Sequence, residues 1–345
     1  MMSQRNVLRE SILAASLLLG GIAMQANAEV REFEMTIEEI ELDVAPGLTT
    51  KAFGFNGQVP GPLYHVNEGD ELEVTVHNYT TLNHTVHWHG VYQTNSWQSD
   101  GVPHVTQHPI EPGESFTYRF VADKSGSLWY HCHVNVSEHV GLRGMWGPLI
   151  VEPKEPTELE QRVTKDAVLM FSGWNSEVAD TYGEGGHPGQ VINYFSINGK
   201  SFPTNQPLRV VEGDVLRLRL IAATIPVAFH LHGHDMMVTH KDGLPLEHPY
   251  PADVVAMAPG ERYDVIVEMN NPGLWMTHDH IDHHTTNNGK EHGGSMLVVE
   301  YEGIETDESY DFHNVDYQPD YYMVESMAAP LGQHNMEVHQ GRLLE

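Results

Sequence analysis

Apolar and polar residues alternate through Glu71-Leu72-Glu73-Val74-Thr75-Val76, Phe116-Thr117-Tyr118-Arg119-Phe120, Val215-Leu216-Arg217-Leu218-Arg219-Leu220 and Tyr263-Asp264-Val265-Ile266-Val267. A two-residue period gives each segment one apolar face, the pattern of half-buried β-strands. Gly, Pro and Asn interrupt these runs at short intervals, and helical periodicity is almost absent. Short strands punctuated in this way predict an all-β fold, with a Greek-key sandwich or barrel in each half.

The two halves repeat each other. Asn56-Gly57, Val66-Asn67-Glu68-Gly69-Asp70 and His87-Trp88-His89-Gly90 return as Asn198-Gly199, Val211-Glu212-Gly213-Asp214 and His230-Leu231-His232-Gly233. Pro112-Gly113-Glu114 and Trp129 to His131 return as Pro259-Gly260-Glu261 and Trp275 to His278, with the same step from Gly113 to His131 as from Gly260 to His278. This divides the chain into a first domain over residues 29–153, a linker over 154–165, a second domain over 166–303 and an acidic tail over 304–345. The tail is read either as disordered or as packed against a neighbouring subunit through Tyr310, Tyr317, Tyr321 and Tyr322. Its Met323, Met327, His334, Met336 and His339 are read as ordinary tail residues in preference to weak metal ligands.

The N-terminus has the form of an export signal over residues 1–28: Arg5 and Arg9 precede an apolar run from Ile12 to Met24, which ends at Ala26-Asn27-Ala28. That run is shorter than the roughly 20 residues of a membrane span. The expected location is periplasmic or secreted, by the general secretory route. A net charge of −30 argues against nucleic acid and anionic membrane as partners. The chain has a single cysteine, which excludes an intrachain disulfide framework and leaves a thiol that must be buried or metal-bound in an oxidising compartment.

That cysteine lies in Trp129-Tyr130-His131-Cys132-His133, and three further His-x-His pairs occur at His87/His89, His230/His232 and His278/His280. On a strand the imidazoles of His131 and His133 point one way and the Cys132 thiolate the other, so one strand can serve two metal sites. In His84-Thr85-Val86-His87-Trp88-His89, His84 shares neither face nor partner with His87 and His89. If the two strands are neighbours, parity pairs His84 with Cys132 and collects four imidazoles on the opposite side. A blue-copper site also needs a second histidine and a weak axial methionine, and the following loop offers His139 and Met145. The second domain keeps its imidazole face but has Val227 in the place of His84 and Asp279 in that of Cys132, with His284 a remnant of the loop histidine. Eight imidazoles on duplicated pairs are too many for one ion and suit a three-copper cluster between two domains.

At this point the residues resemble the two-domain, laccase-like multicopper oxidases, through His87-Trp88-His89-Gly90, Asp100-Gly101, Thr106-Gln107, Trp129 to His133, His230-Leu231-His232-Gly233-His234 and His278-Asp279-His280. The resemblance covers both domains and implies cupredoxin-like folds with about four coppers per chain. It makes His84, Cys132, His139 and Met145 the type 1 site, and gives the type 2 copper to His87 and His230. One type 3 copper would take His89, His131 and His280, and the other His133, His232 and His278, while His234 is not normally a ligand. Electrons from a reducing substrate would pass from the type 1 site through Cys132 to the cluster, where dioxygen becomes water, with Asp100 and Asp282 as nearby acids for proton delivery. The loop from Cys132 to His139, which precedes Met145, is longer than in most laccases, a departure from the family pattern. Relatives of this kind form head-to-tail homotrimers with clusters shared between chains.

Three rival readings explain less. A copper nitrite reductase would be expected to carry aspartate at His87 and a non-ligand at His133. A non-enzymatic electron-transfer cupredoxin leaves eight histidines unused. A zinc-stabilised structural protein leaves the lone thiolate without purpose.

Overall fold

The structure, a computed structural model, describes residues 28–177, 191–305 and 317–331. The export signal up to Asn27, and Tyr310, His334, Met336 and His339 of the tail, lie outside the described residues.

Two four-stranded sheets form the first half. One has the strand order Leu48–Phe55, Val30–Ala45, Glu71–Asn78, Ser115–Val121, and the other Tyr64–Asn67, Trp146–Glu152, Gly126–Cys132, Val86–His89. The alternation read from sequence is the physical cause of their packing: Leu72, Val74 and Val76 are buried while Glu71, Glu73 and Thr75 are not. Phe33, Met35 and Ile37 share the interior with Trp88, Leu128, Tyr130 and Leu149 from the facing sheet. Mixed pairing, with Val30–Ala45 parallel to Glu71–Asn78 and Tyr64–Asn67 parallel to Trp146–Glu152, shows that the strands are not a simple series of hairpins.

The second half is built from an eight-stranded and a five-stranded sheet, running from Lys165–Trp174 to Met296–Tyr301. Lys165–Trp174 pairs in parallel with Val215–Ala222, as Val30–Ala45 does with Glu71–Asn78 in the first half. At one sheet edge lies the largely exposed strand Leu244–Ala252, which carries Pro245, Pro249 and Pro251. Proline is tolerated there because an edge strand leaves one side of its ladder unpaired.

The two halves share buried surface. Val168, Met170, Trp174 and Ile221 belong to the same apolar cluster as the first-half core. Beside it, buried Arg219 donates to Asp166, to Glu152 at 3.0 Å and to the Ser127 hydroxyl at 3.1 Å, and that hydroxyl donates to Asp264 at 2.6 Å. Gly126 has φ +105°, and a Cβ there would lie 2.0 Å from the carbonyl oxygen of Gly243, so the approach of the two halves needs glycine.

The described part of the tail, residues 317–331, contacts its own chain. Tyr322 is buried with its hydroxyl donating to Gln206 O at 2.7 Å, and Tyr317 lies over the Arg209 guanidinium at 3.7 Å. Met327 O accepts from Leu63 N at 2.9 Å, and Ala329 N donates to Leu63 O at 2.6 Å. These residues pack on their own chain because Tyr322 and Val324 fill apolar space at the joint between the halves. Met323 and Met327 likewise pack against the two cores.

Candidate metal centres

Strand register sorts the side chains of one ribbon into two compartments. Val86 stands opposite Cys132 and His87 opposite His131, so side chains on the even positions face inward with Trp88 and Tyr130, and those on the odd positions face outward. His84, held by a bridge to Ile110, continues the inward set.

The inward compartment brings together His84, Cys132 and His139, whose ligand atoms all lie within 4.8 Å of one another. Cys132 Sγ is 3.6 Å from His84 Nδ1 and 3.5 Å from His139 Nδ1. The His84 ring is anchored through Nε2, 2.8 Å from Thr80 Oγ1, and Phe53 meets both imidazoles edge-on at 4.9 and 5.1 Å. Burial pushes the Cys132 thiol up to about 11 and the His139 imidazole down to about 4, the latter aided by the charge of Arg143. His84 is held well below its ordinary value by burial and by His139. Two neutral imidazoles and one displaceable thiol proton in an apolar pocket are the donor set that suits copper.

Met145 is fully buried, and its backbone ties both ligand segments: its N–H donates to His139 O at 3.0 Å and its carbonyl accepts from Cys132 N at 3.1 Å. The long loop before it is filled by the helical turn Val136–His139 and a buried ion pair, in which Arg143 reaches Glu138 Oε1 at 3.4 Å and donates to Lys51 O at 2.9 Å. The added loop length thus closes on itself and returns the Met145 backbone to the segments that carry Cys132 and His139.

The outward compartment gathers His87, His89, His131 and His133, with ring centroids 5.2 Å apart for His87 and His131 and 5.5 Å for His87 and His133. His230, His232, His278 and His280 form the second quartet, where His230 stands opposite His278 as His87 does opposite His131. Four of the eight rings have their tautomer set by a carbonyl. His87 Nδ1 is 2.7 Å from Asp100 O, His131 Nδ1 2.8 Å from Cys132 O, His230 Nδ1 2.9 Å from Asp253 O, and His278 Nδ1 2.9 Å from Asp279 O. A carbonyl only accepts, so each Nδ1 carries the hydrogen and each Nε2 presents a lone pair to a metal. Burial, followed by neighbouring positive groups, pushes His89 and His131 down to about 3, and His87 and His232 also fall below the ordinary range. His89 Nδ1 lies 3.4 Å from His131 Nε2, and His232 Nε2 3.1 Å from His278 Nε2. Among the described residues no ring contact joins one quartet to the other, and His232 and His280 are exposed.

In the second half the place of the sulfur site is closed. Asp279 accepts from Ala228 N at 2.9 Å, Ile281 N at 3.0 Å and His284 Nδ1 at 2.6 Å, all in a buried setting where His284 stacks on Phe195. Val227 stands in the position of His84 and offers no donor.

Asp282 is exposed, and among the described residues no hydrogen bond joins its carboxylate to a clustered histidine. Asp253 instead copies Asp100: Asp100 Oδ1 is 3.4 Å from His87 Nδ1, and Asp253 Oδ1 is 3.6 Å from His230 Nδ1. Asp253 was missed because it lies 21 residues past His232, whereas Asp100 lies 11 past His89, and no motif surrounds it. The tryptophan echo is also offset: Trp129 stands opposite His89, whereas His232 N donates to Met276 O and Trp275 is one residue further back.

A sequence profile described as multicopper oxidase matches residues 36–156, and a second with the same description matches residues 172–290. The solved structure of the multicopper oxidase mgLAC is 58% identical, covers 90% of this chain and 98% of its own, and superposes with a TM-score of 0.85. The chain belongs to the multicopper oxidases. A blue copper oxidase from Nitrosomonas europaea is 54% identical, with coverage of 90% and 98% and the same TM-score of 0.85. Laccase-2 of Botryotinia fuckeliana is 34% identical over 259 residues, 70% of this chain and 43% of its own length, so this multicopper oxidase spans less than half of that relative. A copper nitrite reductase from Nitrosomonas europaea, at 20% identity and a TM-score of 0.66, shares the fold alone. The two halves of this multicopper oxidase are cupredoxin-like, and copper is the cofactor its family implies for the His and Cys groups described above.

Proposed function

We propose that this multicopper oxidase couples one-electron oxidation of a phenol, aromatic amine or low-valent metal ion to the four-electron reduction of dioxygen to water. His84, Cys132, His139 and Met145 would hold a type 1 copper, and the eight outward histidines a three-copper cluster, about four ions per chain. His87 and His230 would take the type 2 ion. His89 and His131 with His280 would take one type 3 ion, and His232 and His278 with His133 the other. His89 with His131 and His232 with His278, the pairs whose ring nitrogens approach within 3.4 and 3.1 Å, are pairs that this assignment puts on one ion, which supports it. When bound, copper supplies the one-electron steps at the sulfur site and the dioxygen chemistry at the cluster.

The chain's own residues explain how the two sites communicate and stay apart. Cys132 is covalently continuous with His131 and His133, and the His131 Nδ1 bond to Cys132 O adds a second route from the sulfur residue to the imidazole face. Phe53 and the surrounding core keep water from the sulfur site. Asp100 keeps a carboxylate beside the outward face of His87, and Asp253 beside that of His230, where protons for dioxygen reduction are needed. The geometry favours Asp253 over Asp282 for this role in the second domain.

A shared cluster follows if each quartet meets its complement on a second copy. Tyr92, Trp97 and Val105 are exposed in the segment around Asp100, and Tyr250 and Val254 flank Asp253, apolar surface that a partner would cover. A head-to-tail homotrimer closes such a heterologous contact. Export to the periplasm or the exterior, through residues 1–28, agrees with a thiol that oxidising surroundings would otherwise attack.

One observation carries this reading: a buried thiol site and an outward imidazole quartet share a single strand, and a second quartet repeats its hydrogen-bonded tautomers. Copper analysis with oxygen uptake against phenols, Cu(I), Fe(II) and Mn(II) tests it. About four coppers per chain with a thiolate charge-transfer band and dioxygen consumption are expected. A single copper, or efficient nitrite reduction without dioxygen consumption, would overturn it.

A further inference from the structure

His234 belongs to the motif His230-Leu231-His232-Gly233-His234, yet its ring turns away from the quartet. Its Nδ1 lies 3.0 Å from the carbonyl oxygen of His232, and its Nε2 lies 2.7 Å from the Tyr301 hydroxyl. The two rings stack with an interplanar angle of 14°. Because a carbonyl cannot donate, His234 Nδ1 carries the hydrogen, and in the neutral ring Nε2 is then the acceptor and Tyr301 the donor. The Tyr301 oxygen accepts in turn from Asn271 N at 3.3 Å. Direction and tautomer are therefore fixed along the whole chain of bonds.

His232 needs outside support in a way that its counterpart His89 does not. His89 lies within strand Val86–His89 and rests against Trp129 at 5.0 Å between ring centroids. Strand Val227–Leu231 stops one residue short of His232, whose ring is exposed. The chain then turns at Gly233, φ +71°, where a Cβ would lie 2.6 Å from the Trp275 ring. Asn271 Nδ2 donates to Gly233 O at 3.0 Å, and Trp275 Nε1 donates to Asn271 O at 2.6 Å. Among the described residues the ring meets only His230 and His278 of its own quartet, so the aim of His232 Nε2 depends on its backbone.

We propose that His234 and Tyr301 are positioning residues for the interdomain copper cluster, the bond from His234 to the His232 carbonyl holding the backbone that aims His232 Nε2. The proposal rests on the assignment of His232 as a copper ligand.

Two substitutions of one residue separate the two bonds in the copper-loaded assembly. In His234→Asn the amide nitrogen stands where Nδ1 was and keeps the donor to His232 O; in His234→Gln it stands where Nε2 was and loses that donor. Tyr301→Phe removes the hydroxyl that holds His234 Nε2 and so frees the ring on that side. Copper per chain, the near-ultraviolet absorption of the coupled copper pair and the thiolate band of the first domain are measured together. His234→Gln and Tyr301→Phe are expected to weaken cluster copper binding about 10- to 100-fold with the thiolate band intact, and His234→Asn to stay near wild type. Equal behaviour of the Asn and Gln variants, or loss of the thiolate band in step with the cluster, would overturn the proposal. His232→Ala is the control for the underlying assignment: if it keeps its full cluster copper, His232 is not a ligand and the assignment itself fails.

Discussion

Replacing Glu152 by glutamine is expected to weaken the joint between the two halves, and to do so less as the pH falls. Glu152 ends the last strand of the first half and meets Arg219 at 3.0 Å and Arg217 at 3.6 Å from the second, with His65 at 3.0 Å on its other side. Burial alone would raise its carboxyl, but the His65 hydrogen bond and the two guanidinium charges outweigh it and hold the group at about 2, against an ordinary 4.5. A folded value below the unfolded one means that the carboxylate stabilises the fold fully above pH 4.5 and that this stabilisation is lost as pH falls towards 2. The gap amounts to about 3 kcal/mol at ~1.4 kcal/mol per pH unit, and to about 2 kcal/mol after discounting for solvent screening. The side chain is 30% exposed, which is why the discount is applied. Urea unfolding of the copper-free chain should show the variant less stable by about that amount at pH 7, and by less than half of it at about pH 3. Equal stability of variant and wild type at pH 7, or a difference that persists unchanged in acid, would refute the linkage.

Cys132→Ser should abolish the blue absorption and substrate oxidation while most of the cluster copper stays bound, since the outward quartet is built on the opposite face of the strand. Retention of the colour would show that the sulfur site lies elsewhere. A shared cluster predicts complementation: a His87→Ala/His89→Ala chain and a His230→Ala/His232→Ala chain, each inactive alone, should regain dioxygen consumption when refolded together, and continued inactivity with proven mixed assembly counts against sharing. Asp253→Asn is expected to slow dioxygen reduction more than type 1 reduction, as Asp100→Asn should, whereas Asp282→Asn should leave both near wild type. Pre-steady-state reoxidation followed by absorption separates the two steps, and a larger effect at Asp282 would restore the reading made from sequence.

What the chain determined locally could be read without coordinates. The period of two that buries Leu72, Val74 and Val76 is the same period that sets Cys132 against Val86 inside and His131 beside His87 outside. Parity depends only on the pleat of a strand, and duplication of the sequence carried it to His230 and His278, so both metal compartments, the closed site at Asp279 and the all-β fold were legible. Contacts made through space between loops of unequal length were decided by packing. Asp253 takes the place beside His230 that Asp100 takes beside His87, although it lies 21 residues past His232 and Asp100 only 11 past His89, because the connecting segments differ in length. The fill of the Cys132–His139 loop by the Glu138–Arg143 pair, and the return of Tyr322 and Val324 onto their own chain, depend on cavities that form only when sheets from distant segments meet. Alternation is a property of neighbouring residues, whereas the partner of a loop side chain is set by the whole surface against which that loop comes to rest.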